Sequence, residues 1–73
     1  VKSMSELRDL VVQDMAKLGY IEAEDIRKVI GIARNTLDRL FIYNTCSNTT
    51  IRKISIVTKR PMREYEACEF KLV

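Results

Sequence analysis

The chain has 73 residues, of which 47% are hydrophobic and 32% charged, and its formal net charge is +3. This length and composition predict one folded domain over residues 1–73 and argue against intrinsic disorder. Because no apolar run approaches the roughly 18 residues needed to cross a bilayer and the chain does not begin with a secretory leader, we expect a cytoplasmic protein that is not bound to membranes.

The chain contains two cysteines, Cys46 and Cys68, and no histidine. These residues cannot fill a four-ligand structural zinc site. One disulfide is arithmetically possible, but two reduced cysteines, at least one of them packed as a small hydrophobic residue, are favoured because nothing signals secretion. Since no histidine base, glycine-rich phosphate loop or nucleophile motif is present, the sequence predicts no enzyme, no metal and no cofactor.

Charge is distributed unevenly along the chain. Residues 1–30 carry five basic and six acidic groups, whereas residues 31–73 carry eight basic and four acidic groups. No acidic residue occurs between residues 50 and 63. Such asymmetry indicates a polyanionic partner for the second half of the chain.

The first half of the chain has the apolar spacing of helices. Ser3 and Glu6 have the spacing of a capping box, and an apolar stripe followed by Gly19 predicts a first helix over residues 4–18. Acidic residues in a first turn favour a second helix over residues 23–30. Gly31 interrupts the pattern, and a third helix is predicted over residues 33–43.

The second half of the chain has a different period. Residues 50–59 are rich in β-branched side chains and residues 65–73 alternate between apolar and polar, so both segments are predicted to be strands. The only proline, Pro61, lies between them. These patterns predict an α+β fold with a three-helix core and a C-terminal β-hairpin.

The segment from Glu24 to Phe41 resembles a helix-turn-helix. Gly31 stands where that family opens its turn, Ile32 stands where an apolar residue plugs the turn, and Leu37 and Leu40 follow at the inward positions of the second helix. The sequence Ala33-Arg34-Asn35-Thr36-Leu37 is similar to the start of the family's recognition helices. With the predicted hairpin, the order of elements resembles winged helix-turn-helix domains.

One position departs from the helix-turn-helix pattern. The family usually has alanine four residues before the turn glycine, where the two helices cross, and here Arg27 occupies that place. An arginine can extend its charged end out of such a crossing point while its stem stays covered.

The resemblance implies that the chain binds double-stranded DNA as a small transcriptional regulator or a plasmid or phage control protein. The third helix would lie in the major groove, where arginine reads guanine and asparagine reads adenine. The candidate residues of this recognition helix are Arg34, Asn35, Thr36, Asp38 and Arg39. Thr36 is expected to contact phosphate, and Asp38 either pairs with Arg34 or accepts from a cytosine amine.

The loop of the predicted hairpin would form a basic wing that contacts the phosphate backbone. Its candidate residues are Arg52, Lys59, Arg60 and Arg63. The opposing interpretation is that these basic residues only protect exposed strand edges from aggregation.

Two other functions stay open at this point. A winged-helix protein-interaction module would keep the fold and expose an apolar patch, and an RNA-binding domain would share the charge pattern. A homodimer is a further possibility, because a small domain gains specificity from a second half-site. The candidate surfaces for it are the first helix and residues 67–73.

Overall fold

The computed structural model describes residues 6–73, and this part of the chain is mostly helical with a small β-sheet. The elements, in chain order, are α1 (Leu7–Lys17), α2 (Ala23–Ile30), α3 (Arg34–Tyr43), β1 (Thr45–Cys46), α4 (Asn48–Thr58), α5 (Met62–Glu66) and β2 (Lys71–Leu72). None of the helices in residues 6–73 has the length and hydropathy needed to cross a membrane.

The three helices predicted in the first half are present. α2 has the predicted bounds, and α3 begins one residue later than predicted. α1 begins at Leu7 rather than near residue 4, because Glu6 is extended and forms no side-chain cap. Ser3, the other member of the predicted capping box, lies outside the described residues.

The predicted β-hairpin is wrong. Most of residues 50–59 belong to α4, and residues 65–66 end α5. Ile51 and Ile54 are fully buried on the inner side of α4, so helical packing outweighs the strand preference of a β-branched segment. Ser47 caps α4 by accepting a hydrogen bond from the Thr50 amide at 3.3 Å, which offsets part of the cost of β-branched residues in a helix.

The two short strands are parallel and not antiparallel. β2 pairs with β1 in the register Thr45 to Lys71 and Cys46 to Leu72. Parallel strands need a long crossover connection, and α4 and α5 supply it here. The C-terminal segment therefore returns to the end of α3 instead of forming a hairpin with the segment before it.

One hydrophobic core joins the helices. Its most buried members come from all five helices and include Leu7, Val11, Met15, Ile26, Leu40, Ile51, Ile54 and Tyr65. Cys46 is also buried and packs within this core. Burial raises the pKa of the Cys46 thiol to about 11, so the thiol is uncharged at neutral pH and packs as a small hydrophobic side chain.

Asn44 connects three distant parts of the chain at the end of α3. It takes the left-handed conformation, with φ of 53°. Its Oδ1 accepts from the Arg8 amide at 3.1 Å, and its Nδ2 donates to the Glu69 carbonyl at 2.6 Å. Since Leu7 also donates its amide to Glu69, the first amides of α1 are satisfied by remote partners instead of the predicted capping box.

Asn44→Ala should therefore destabilise the fold by about 2 kcal/mol, because it removes two hydrogen bonds and places a Cβ without a polar group in the left-handed region. Asn44→Gly is the matched variant, since glycine adopts this conformation without strain. It should recover roughly 1 kcal/mol of the loss. Urea denaturation of both variants measures this difference, and equal losses would contradict the role given to the left-handed backbone.

Candidate nucleic-acid interface

The turn between α2 and α3 consists of Gly31, Ile32 and Ala33. Gly31 ends α2 in the left-handed conformation, with φ of 82°, where glycine is favoured. Ile32 follows and is only 8% exposed, so it plugs the turn. Ala33 is extended at the N-cap, directly before α3, and Leu37 and Leu40 face the core.

Arg27 supports this turn from α2. Its guanidinium donates to both carboxylate oxygens of Glu24, at 2.8 and 3.1 Å, and to the Ile32 carbonyl at 3.4 Å. The Arg27 side chain is 27% exposed, so most of it is covered while its guanidinium makes these hydrogen bonds. The departure from alanine at this position is thus compatible with close packing of α2 and α3.

Lys53 supports the same turn from α4. Its Nζ donates to the Gly31 carbonyl at 3.3 Å. Two cations from two helices therefore hold consecutive carbonyl groups of the turn, those of Gly31 and Ile32. Neither contact was predictable from the sequence, because any residue can supply a backbone carbonyl.

The outer face of α3 is polar and exposed. Arg34, Asn35 and Arg39 are exposed, whereas Thr36 and Asp38 are half-buried. Within residues 6–73 none of these five side chains forms a hydrogen bond or ion pair to the rest of the chain. Their polar groups are therefore available to an external partner.

The charge of Arg34 lies near α2 instead of pairing with Asp38. Hydrogen bonds from Arg27 are the main reason that the pKa of Glu24 lies below its ordinary value, and the charges of Lys28 and Arg34 add to this lowering. Among the described ion pairs there is none between Arg34 and Asp38. The intrahelical pair that the four-residue spacing allowed is not formed.

A cleft of about 120 Å³ joins the outer face of α3 to the start of α4. Thr36 and Arg39 line it on the side of α3, and Ser47 and Thr50 line it on the side of α4. The hydroxyl of Thr50 is partnered by that of Ser47 at 3.1 Å. The arrangement places a cation and several hydroxyl groups at one edge of α3.

The residues predicted for the wing do not form one. Arg52 is exposed in the middle of α4, Lys59 ends that helix in the left-handed conformation, and Arg63 is exposed on α5. Lys59 and Arg60 line a different cleft, of about 420 Å³, beside Asp14 and Lys17 of α1. The structure thus brings together the α3 residues but separates Lys59 and Arg60 from the cleft beside α3.

Arg60 forms a partly buried ion pair with Asp14 of α1. Its Nε and Nη2 donate to the two Asp14 oxygens at 2.7 and 2.9 Å, and its Nη1 donates to Glu64 at 2.6 Å. The Tyr65 hydroxyl donates to Asp14 at 2.7 Å, and Thr58 lies 2.6 Å from that hydroxyl. Arg60 therefore holds α1 against the α4–α5 connection, and its donors are engaged within the fold.

The Asp14 carboxylate is charged in this network. Burial raises the pKa of Asp14, but the hydrogen bonds from Arg60 and Tyr65 outweigh burial, and the net pKa lies below its ordinary value. Burial raises the pKa of Tyr65, which stays a protonated donor. One signal in the sequence could have revealed this site: Asp14 stands at a helical spacing from Leu7 and Val11, and an acid at a core position needs a buried partner.

Comparison with known protein families, with curated proteins and with solved structures finds no match to this chain. Within residues 6–73 no three side chains of the metal-binding types cluster.

Proposed function

We propose that the chain is a helix-turn-helix DNA-binding domain in which α3 enters the major groove and reads base edges. In this class the first helix of the pair crosses the backbone, and residues near the start of the second helix contact bases. The proposal retains the helix-turn-helix of the original resemblance and omits its β-hairpin wing.

The observation that carries the proposal is the two-sided character of α3. Leu37 and Leu40 are buried on one side, while Arg34, Asn35 and Arg39 are exposed on the other without partners in residues 6–73. A helix that binds in the major groove needs this division, since one face must be anchored and the other must offer donors to bases. Arginine and asparagine are the side chains that make bidentate contacts to guanine and adenine.

The geometry of the turn supports the same function. Because Arg27 and Lys53 hold the Gly31 and Ile32 carbonyls, α3 is fixed relative to both α2 and α4. A reading helix needs such fixation, since contacts that are held in place before binding lose less entropy on binding. Thr36 is half-buried beside Arg39, and in this proposal it contacts a phosphate at the edge of the groove.

Arg39→Ala should weaken binding to a specific duplex by about 1 to 3 kcal/mol and relax the preference at one base position. Arg63→Ala is the matched control, because it removes the same charge from an exposed site on α5. Its effect should be equal on specific and random duplexes, since phosphates carry no direct sequence information. Fluorescence anisotropy on both duplexes measures the difference, and an equal loss for Arg39→Ala on both would assign Arg39 to phosphate.

A protein-interaction module is the second candidate, and exposed apolar side chains favour it. Ile21 and Ile56 are 72% and 70% exposed, and apolar exposure of this kind is found at protein-binding surfaces when it is contiguous. Retention on a nonspecific duplex or on heparin at low salt, lost at high salt, supports DNA binding. Absence of retention at low salt supports the interaction module.

A further inference from the structure

The C-terminal segment presents an unpaired strand edge. Glu69 bridges to Glu6, and the amides of Lys71 and Val73 donate to the carbonyls of Asn44 and Cys46 at 2.9 and 3.1 Å. All these contacts lie on one edge of the segment 69–73. Because successive residues of a strand direct their backbone groups to opposite edges, the N–H and C=O groups of Phe70 and Leu72 point to the other edge, which we call the C-terminal edge.

Nothing in residues 6–73 pairs with the C-terminal edge. Leu72 and Val73 are 61% and 71% exposed beside it. An open edge flanked by apolar side chains is a template for pairing with another strand.

We propose that the C-terminal edge pairs antiparallel with the same edge of a second copy of this chain, forming a two-fold symmetric dimer. A two-fold interface brings one patch onto itself, so its residues must be self-complementary. The charges of the segment are complementary in the register centred on Phe70, because that register sets Glu69 opposite Lys71 of the partner subunit.

The register follows from the outward backbone groups of Phe70 and Leu72 and from the charges of Glu69 and Lys71. When Phe70 lies opposite Phe70 of the partner subunit, the two residues exchange hydrogen bonds, and Glu69 lies opposite Lys71 of the partner subunit on both sides of the axis. Opposite charges at facing positions stabilise a pair of strands. A two-fold axis at Lys71 also pairs the outward groups but places the two lysines opposite each other, and facing like charges are destabilising.

The short edge predicts a weak dimer. Stable interfaces bury upwards of about 1,000 Å², and a segment of five residues with its apolar neighbours buries less than that. We therefore expect a monomer–dimer equilibrium in the micromolar to millimolar range. The proposal goes beyond DNA binding and is independent of it, because the contact forms between two copies of the protein alone.

Sedimentation equilibrium of the full chain without DNA tests the dimer, with circular dichroism to confirm folding of every variant. Glu69→Lys and Lys71→Glu each place like charges opposite each other twice, so each variant alone should dimerise roughly tenfold more weakly than the parent. An equimolar mixture of the two variants restores both opposite-charge pairs, and it should form a heterodimer about as strong as the parent dimer.

Two results would overturn the proposal. One is a parent chain that stays monomeric up to millimolar concentration, and the other is a dimer that neither weakens in the single variants nor recovers in their mixture. Neither result concerns the DNA-binding proposal, which is tested by duplex titration. The mixture also excludes simple misfolding as the cause, since two misfolded variants would not restore each other.

Discussion

Arg60→Ala should lower the free energy of unfolding by about 2 to 4 kcal/mol, because it leaves the buried Asp14 carboxylate without its bidentate partner. The Asp14 side chain is 7% exposed and the Arg60 side chain 28%. The expected loss in the free energy of unfolding is smaller than that for breaking a wholly buried ion pair, since Arg60 is partly solvated. Chemical denaturation at neutral pH measures the effect.

Two variants isolate the Asp14 contact from the other contacts of Arg60. Glu64→Ala removes the exposed partner of the same guanidinium and should change stability by less than about 1 kcal/mol. Arg60→Ala should also cost little in an Asp14→Ala background, because the charge it would strand is then absent. If Arg60→Ala costs the same in both backgrounds, the ion pair is not the cause of its effect.

The same network makes stability depend on pH. The folded pKa of Asp14 lies below its ordinary value of 3.8, so the unfolded chain binds the proton more tightly than the folded chain does. The stabilisation is therefore complete above the unfolded pKa and is lost as the pH falls through the folded pKa. Thermal melting between pH 5 and pH 2 should show a smaller loss for Asp14→Asn than for the parent chain, and equal losses would show that other carboxylates dominate.

Leu37→Ala should destabilise the domain by about 2 to 5 kcal/mol, a large part of the stability of a chain of this size. Leu37 is 2% exposed and anchors α3 to the core, so its truncation leaves a cavity under the proposed recognition helix. Ile42→Ala is the control on the same helix, because Ile42 is 61% exposed. Equal melting temperatures for the two variants would show that the inner face of α3 is misassigned.

Much of the first half could be predicted from the sequence because its signals are local. Glycines at the ends of α1 and α2, acidic residues at the start of α2 and apolar spacing along three helices each act within a few residues. The β-branched content of residues 50–59 favoured a strand, but Ile51 and Ile54 pack as neighbours on one helical face. Ser47 at the N-cap and Pro61, two residues after the C-cap, were helix signals for that segment.

The candidate site was likewise predictable only where its signals are local in the sequence. The exposed face of α3 followed from the positions of Leu37 and Leu40, which are local in sequence. The partner of Arg60 lies 46 residues away, and a basic loop near a proline gives no indication that one of its charges is held by α1. The parallel pairing of β2 with β1 was not predictable either, because it depends on how α4 and α5 return the chain.

Selection of bound duplexes from a random pool is the most direct test of the proposal that α3 reads DNA. The account predicts enrichment of a short sequence, binding that weakens steeply with salt, and a relaxed preference at one position when the selection is repeated with Arg39→Ala. A pool that shows no enrichment, together with no duplex binding at low salt, would contradict it.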